Sequence, residues 1–260
     1  MKTKTEIEIK VSGGRITNAE VLSDGRCKLV VEATVPEMVT EVSTEVKDDT
    51  FVLVEASKLT LNDEFMQYQP KTNAEEKFKE QLERAIQREL KDFYCPKYDP
   101  SFNEDGNGIS YEVGKKPAVG KSYNWWNRVA KEFKPDNSRL GTKTEYVAFL
   151  GVLIKKLVSI GWTVAEAWNA VCSDSKKLGH YWNSEDAKHD FEPTGCREIC
   201  GFYDLANTYK ILSDDEADGF WLAGGNYYDF SYDDPLAYLA HFISLNYDDY
   251  YSVGWLVLDM

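Results

Sequence analysis

The sequence predicts an α+β protein in which a small strand-rich module with one helix precedes a larger mixed domain. Two observations on the apolar residues predict this class. Over residues 1–60, short segments with alternating or β-branched apolar residues are typical of strands. From residue 73, apolar residues recur every three or four positions, which is the spacing of a helix that packs on a core. With 260 residues, 43% of them hydrophobic, the chain is long enough to bury such a core.

The N-terminal segments predict strands. In "TEIEIKVS", Ile7, Ile9 and Val11 alternate with polar neighbours, which is typical of a half-buried strand. The segments "CKLVVEATV" and "FVLVEAS" are rich in β-branched residues and are separated by turn-prone stretches. Together these segments predict a small sheet.

One amphipathic helix is predicted to follow this sheet. Asn73 and Glu76 have the spacing of a capping box, in which the two residues satisfy free backbone N–H groups of the first turn. The apolar residues of one helical stripe are Phe78, Leu82, Ala85, Ile86, Leu90 and Phe93. Residues 1–95 are therefore predicted to form a module for attachment or oligomerisation, and a homo-oligomer is left open.

Residues 96–121 are predicted to be a linker, and residues 122–260 a second domain. The linker contains prolines and glycines without a sustained apolar period. Beyond it, "YNWWNRVAKEFK" predicts a short helix, and capping-box pairs at Thr142–Glu145 and Thr163–Glu166 predict two more. After residue 180 the chain is rich in loops and aromatic residues, with strand-like "GFWLAGG" and "VGWLVLD". The second domain is therefore not a simple helical bundle.

Charge and targeting signals limit the function classes. The net charge of −14 argues against a nucleic-acid ligand, because such binders need a basic face. An acidic inhibitor that imitates nucleic acid remains an alternative. The N-terminus has no apolar core of a signal peptide, and no apolar run reaches about 18 residues, so membrane insertion is not expected. We expect synthesis in the cytoplasm with reduced cysteines, and the final location, a virion for example, is open.

Catalytic and metal-binding patterns are weak. The spacing of His180, His189, Cys196 and Cys200 does not match a structural zinc site. Neither a phosphate-binding glycine loop nor a G-x-S-x-G elbow occurs. Aspartate pairs are expected on the surface of so acidic a chain, and a calcium site built from them stays an alternative. The sequence therefore predicts a protein that is not an enzyme and has neither cofactor nor bound metal.

Three segments resemble one known family. The segment "GFYDLAN" (residues 201–207) resembles the G-L-Y-D-M-x-G-N motif of C-type lectin folds of the formylglycine-generating-enzyme type. Next in the chain, "GFWLAGGNYYD" lies where that family has R-V-L-R-G-G-S-W-N, and "VGWLVL" lies where it has I-G-F-R-L-V. The chain departs from the family in the Trp-Glu-Trp end of the first motif and in the arginine of the last, which is Leu256 here.

The resemblance implies a C-type-lectin-like fold for the C-terminal domain. The enzymatic members of the family use cysteines after the Gly-Gly motif, whereas this chain has none after Cys200. A catalytically degenerate relative of these enzymes is therefore an alternative to a binding protein. Folds of this kind are also the usual targets of diversity-generating retroelements, in which adenines of a template repeat are miscopied into the 3′ end of a target gene.

Residues 226–252 have the residue types that such miscopying allows. When the adenines of AAC codons are replaced, the codons cannot specify Lys, Glu, Gln, Met or Trp, and residues 226–252 contain none of these five. Seven of the sixteen tyrosines of the chain lie here. Tyrosine offers a large apolar area and a hydroxyl at low rotamer cost, and short polar residues adapt to different partners. We therefore interpret residues 226–252 as a diversified ligand-binding region.

The predicted ligand is an unknown protein or carbohydrate, on a cell or virion surface. Within the region, Pro235, Leu236 and Leu239 are interpreted as fixed turn or core positions. Trp221 and Trp255 flank it and are interpreted as scaffold residues, with Val253, Trp255 and Val257 pointing inward from a closing strand. The predicted ligand-binding residues are Asn226, Tyr227, Tyr228, Asp229, Phe230, Ser231, Tyr232, Asp233, Tyr238, His241, Asn246, Tyr247, Asp248, Asp249, Tyr250, Tyr251 and Ser252.

Overall fold

Helices and strands both occur, which confirms the α+β class. The computed structural model describes residues 14–21, 27–33, 50–178, 193–195, 198–214, 219–224, 236–242, 248–249 and 252–260. The chain divides into two units, Met1–Asp48 and Asp49–Met260.

The described part of the first unit is an antiparallel pair of strands. β1 (Gly14–Val21) pairs with β2 (Cys27–Ala33), and the register shifts between Ile16 and Asn18. β2 confirms the strand predicted from "CKLVVEATV". The predicted strand "TEIEIKVS" lies outside the described residues, whereas β1 was not predicted.

The second unit contains four α-helices and fourteen short strands among its described residues. The helices are α1 (Asn73–Gln87), α2 (Tyr123–Phe133), α3 (Lys143–Ser159) and α4 (Val164–Cys172). The strands before α3 are β3 (Phe51–Val54), β4 (Phe93–Pro96), β5 (Ser101–Phe102), β6 (Ile109–Ser110), β7 (Lys121–Ser122) and β8 (Ser138–Leu140). The strands after α4 are β9 (Glu198–Ile199), β10 (Phe202–Tyr203), β11 (Tyr209–Ser213), β12 (Phe220–Ala223), β13 (Leu239–Phe242), β14 (Asp248–Asp249), β15 (Ser252–Gly254) and β16 (Leu256–Asp259).

Helix α1 begins and ends differently from the sequence prediction. Its capping box uses Thr72 and Glu75, one residue earlier than the predicted pair, because the Thr72 hydroxyl accepts the Glu75 N–H at 3.2 Å. The helix ends at Gln87, and Glu89 takes a positive φ of 55°. The predicted stripe therefore stops short of Phe93, which lies in β4 instead.

Helix α3 is the centre of the core. It begins at the predicted Thr142–Glu145 capping box and packs against both α1 and α4. Nearly every residue from Tyr146 to Ile154 is buried, as expected of a helix covered on all sides. Gly151 permits the close approach of α1, since a Cβ there would lie 2.8 Å from a methyl carbon of Leu82.

Two four-stranded sheets flank the helices, and the segment 252–259 contributes to both. One sheet has the order β13-β12-β11-β15, in which β15 runs parallel to β11 and the other pairs are antiparallel. The other has the order β3-β4-β16-β8, with β16 antiparallel to both neighbours. Between β15 and β16, the buried Trp255 ring packs edge-on against Phe93 and Tyr146, with centroid distances of 5.9 and 5.3 Å.

The observed division of the chain lies between Asp48 and Asp49, not in the predicted linker 96–121. β4 forms the end of the predicted first module, yet it pairs with β16 from the other end of the chain. α1, β3 and β4 therefore share a core with the residues that follow. Residues 96–121 contain three strands that the sequence pattern does not reveal. Because β5, β6 and β7 have two residues each, they are too short to produce a visible period of apolar residues.

No helix among the described residues has both the length and the apolar composition needed to cross a bilayer.

Replacement of Leu153 by alanine tests the role of α3. Leu153 is fully buried in the core cluster. We expect Leu153→Ala to lower the free energy of unfolding by about 2–5 kcal/mol, because it removes buried methyl groups and leaves a cavity. Urea denaturation measures this loss. The matched control is Ile160→Ala at the end of the same helix, where the side chain is 63% exposed and the change should be about 0.5 kcal/mol or less.

Candidate functional site

The motif "GFYD" begins a buried polar network. Asp204 takes a positive φ of 56°, a conformation that aspartate tolerates better than most residues. Its carboxylate accepts the backbone N–H of Gly195 at 2.7 Å and that of Asp99 at 3.2 Å. One side chain thereby joins three separate segments of the chain.

Lys210 on β11 neutralises this network from within. Its ammonium group donates to the Asp99 carboxylate, to the Thr208 hydroxyl at 2.9 Å and to the Asp204 carbonyl oxygen at 3.4 Å. All four residues are buried. Charged groups are tolerated in such a place only when they are paired and hydrogen-bonded, so the network is tightly constrained.

Burial shifts the protonation of both carboxyl groups. It raises the pKa of Asp204 to about 6, and the neighbouring Asp99 charge adds to the rise, while the N–H donors and Lys210 oppose it. Burial also raises the pKa of Asp99, against the effects of Lys210 and Thr208. The cavity beside them is about 20 Å³, which leaves room for about one water molecule. We therefore assign this network to anchoring the fold, not to ligand binding.

The β12–β13 pair carries the outer aromatic surface. Trp221 lies opposite His241 and Phe220 opposite Phe242, and β13 is the edge strand of its sheet among the described residues. Phe220 stacks between Tyr123 and Phe242, with centroid distances of 5.4 and 5.5 Å. Phe242 is nonetheless 38% exposed. Strand β13 therefore presents the Phe242 ring, which is held in place by stacking and is also open to solvent.

A pocket of about 430 Å³ opens on the other face of this strand pair, and we call it the Trp221 pocket. Its volume lies within the range of small-ligand sites. Its walls come from the C-terminal part of α1, the first turns of α3, the residue that follows β11, and strands β12 and β13. The lining residues are Gln81, Arg84, Ala85, Arg88, Lys143, Thr144, Val147, Asp214, Trp221 and His241.

Short polar contacts hold the Trp221 wall of the pocket. The Asp214 carboxylate accepts the indole N–H of Trp221 at 3.0 Å and lies 2.9 Å from His241 Nε2. The rings of Trp221 and His241 are 4.9 Å apart. Lys143 Nζ lies 3.9 Å from the centre of the Trp221 ring, in the geometry of a cation–π contact. These contacts can fix the orientation of a bound group, and the carboxylate and the cations could bind a polar one.

The predicted ligand-binding residues have different outcomes. Tyr238 is 37% exposed and His241 lines the Trp221 pocket. Asp248 and Asp249 form β14, which pairs with β7. Residues 226–233, Asn246, Tyr247, Tyr250 and Tyr251 lie outside the described residues.

Ser252 is one of the predicted ligand-binding residues, but this prediction is wrong because its side chain is completely buried. The physical reason is its place in β15, opposite Tyr209 of the parallel strand β11. Ser252 therefore does not belong to an exposed surface.

The residues interpreted as scaffold are mostly buried. Leu236 is fully buried and Leu239 packs against the core, as predicted, while Pro235 lies outside the described residues. Val253, Trp255 and Val257 point inward, but Leu256 between them is buried as well. The closing strand is therefore covered on both sides, not on one as its alternation predicts.

Four residues that line the pocket were not predicted from the sequence: Arg84, Arg88, Lys143 and Asp214. The two arginines look like part of an ordinary solvated helix face, so their residue types carry no signal. The position of Lys143 does carry a signal in the sequence. It is the first residue of α3, where the positive end of the helix dipole disfavours a cation.

Metal ligands do not cluster in the part of the chain that the structure describes. No group of three or more His, Cys, Asp or Glu residues there could hold an ion. Of the cysteine–histidine set considered above, His180, His189 and Cys196 lie outside the described residues, and Cys200 is a half-buried free thiol.

Comparison with known proteins adds no relative. No family model, curated protein or solved structure matches the chain. The resemblance to C-type lectin folds therefore depends on the sequence motifs themselves.

Replacement of Lys210 by methionine tests the buried network. Lys210→Met keeps an unbranched side chain but leaves the carboxylates of Asp99 and Asp204 without their cation. We expect a loss of about 3–5 kcal/mol in the free energy of unfolding at neutral pH, measured by urea denaturation. Lys131→Met, at an exposed position of α2, is the control and should change it by about 0.5 kcal/mol or less. A loss in Lys210→Met as small as in the control would contradict the anchoring role.

The raised pKa of Asp204 predicts a pH dependence of stability. The folded protein holds this proton up to about pH 6, whereas an unfolded chain releases it near its ordinary pKa of 3.8. The contribution to stability is therefore complete below about pH 4 and is lost as the pH rises through about 6, on the order of 3 kcal/mol in total. Asp204→Asn should remove this part of the pH profile of urea denaturation.

The control for this experiment is Asp136→Asn. Asp136 is also at a positive φ, 78°, but its side chain is exposed. It should retain the wild-type profile between pH 4 and 7. If Asp204→Asn also retains the wild-type profile, another group causes the fall in stability with rising pH.

Proposed function

We propose that this protein is a non-catalytic ligand-binding protein whose residues 226–252 are diversified by a retroelement, on a C-type-lectin-like domain. The observation that carries the proposal is the absence of Lys, Glu, Gln, Met and Trp from residues 226–252. It is supported by the three family motifs, which occur in order around this region.

The places of the motif residues support a scaffold role. Asp204 of the first motif anchors three segments, and Phe202 beside it is buried. Gly254 of the last motif faces Trp126, and a Cβ there would lie 2.5 Å from the indole ring. Only glycine fits this approach, so the motif glycine has a packing reason.

The diversified region is attached to rigid structure at both ends. It follows β12, which ends one residue before Gly224, and it leads into β15 and β16. Leu236 anchors its middle, because its N–H is bound by the Ser175 hydroxyl at 2.8 Å. A stiff carrier reduces the entropy lost on binding, which is what a surface of exchangeable side chains requires.

The ligand of this surface is a protein or a carbohydrate. Tyrosine, aspartate, asparagine and serine dominate the region, as they do in antibody binding loops. Such residues give affinity through ring area and short hydrogen bonds rather than through catalysis. On a virion or a cell surface, diversified residues would be useful because the molecules that the protein meets there vary.

The net charge of −14 favours a second candidate, an acidic inhibitor that imitates nucleic acid. This alternative requires carboxylates along one elongated face, spaced like phosphates. The cations of the Trp221 pocket, Arg84, Arg88 and Lys143, interrupt any such face where they lie. We therefore prefer the binding protein. A catalytically degenerate enzyme of the same fold would share the scaffold but not the residue exclusion.

Sequencing of the flanking DNA tests the proposal. We expect a near-repeat of the 3′ part of the coding sequence, with mismatches confined to adenines of the repeat. The mismatches should include the codons of the exposed Tyr238 and His241 and should spare those of the buried Leu236 and Val253. If no such repeat exists, or if mismatches involve all bases equally, the proposed function is wrong.

A further inference from the structure

Among the described residues, the lining of the Trp221 pocket has more cations than carboxylates, whereas the whole chain is acidic, with a net charge of −14. The cations are Arg84, Arg88 and Lys143, and the carboxylate is Asp214; Arg84 also lies 3.7 Å from the exposed carboxylate of Glu80. The Asp214 carboxylate already accepts the indole N–H of Trp221 and pairs with His241. An excess of cations in a concavity concentrates field and attracts anions.

The position of Lys143 in its helix indicates that these cations serve a function. As the first residue of α3, it lies at the positive end of the helix dipole, where a cation is destabilising. Its ammonium group lies over the Trp221 ring, 3.9 Å from the ring centre, on the side that faces the pocket. A residue placed against a local preference is expected more often at functional sites than elsewhere.

The chemistry of these side chains specifies the ligand. Guanidinium groups bind carboxylate and phosphate oxygens through paired N–H donors, and an ammonium group adds a point charge. Arg84 lies in the last turn of α1 and Arg88, four residues later, is its C-cap residue, so both side chains can reach the same side of the helix end. Lys143 faces the same space from α3. We propose that the Trp221 pocket binds an oxyanion, the carboxylate or phosphate group of a ligand.

The residues that line the pocket lie partly outside and partly inside the proposed diversified region. Arg84, Arg88 and Lys143 lie outside residues 226–252, while His241 lies within them. On the proposed function, retroelement copying can change His241 but leaves the three cations constant. The ligands of sister copies would then share an acidic group, and the diversified residues would choose among them. This division rests on the proposed function, whereas the oxyanion site rests on the pocket alone.

Titration of the full chain with glutarate and with inorganic phosphate tests the site. The readout is the NMR signal of the Trp221 indole N–H, assigned by comparison with Trp221→Phe, at low ionic strength because salt screens exposed charges. We expect a saturable shift with at least one of the two anions. Saturation with glutarate alone indicates a carboxylate ligand, and saturation with phosphate alone indicates a phosphate ligand.

Charge-removing variants locate the binding. Arg84→Gln changes a side chain that is 73% exposed, so the fold should not depend on it. This variant and Lys143→Gln should each weaken anion binding about tenfold or more, because each removes a charge-assisted hydrogen bond. Lys131→Gln, with the same change of charge at an exposed position of α2, should bind as the wild type does.

Two results would overturn the site. One is the absence of a saturable shift with either anion. The other is unchanged binding in both Arg84→Gln and Lys143→Gln. Anion binding in a gene without a flanking near-repeat would leave the site standing and reject only the division into constant and diversified walls.

Discussion

The second unit of this protein depends on one segment, Ser252–Asp259, that completes two sheets. β15 pairs with β11 in one sheet, and β16 lies between β4 and β8 in the other. Trp255 between them fills the space beside α3. Because β15, the first half of β16 and the ring are buried, a displacement of this segment would open two sheets and the core together. The rest of the unit is arranged around this requirement.

The buried network and the Trp221 pocket represent two uses of charge. Around Asp204, one ammonium group and several donors compensate two carboxyl groups, with almost no space left. In the described lining of the pocket, cations exceed carboxylates and the space is open. A closed and compensated network stabilises a loop, whereas an open pocket with an excess of cations attracts anions. Both are attached to β11, through Lys210 and the adjoining Asp214, so the anchored sheet also positions the pocket.

Local sequence patterns predicted the helices better than the domains. The α3 and α4 capping boxes at Thr142 and Thr163 were predictable because they depend on residues three apart. The pairing of β4 with β16 was not, because it joins residues that are far apart in sequence. For the same reason, His241 could be singled out by its residue type but not by its partners, Asp214 and Trp221. The burial of Ser252 followed from its neighbour β11, about which its own segment carries no signal.

β15 begins at Ser252, the last residue of 226–252, and β16 follows it, which has a consequence for faulty gene copies if this region is diversified as proposed. An insertion or deletion that shifts the reading frame within its codons would replace Val253, Trp255 and Leu256 along with the surface. Such a product lacks the strands that β4, β8 and β11 need as partners. It would stay unfolded and be degraded, since proteases remove chains that cannot bury their cores. On the proposed function, the fold would therefore remove frameshifted copies, and only in-frame copies would persist long enough to meet a ligand.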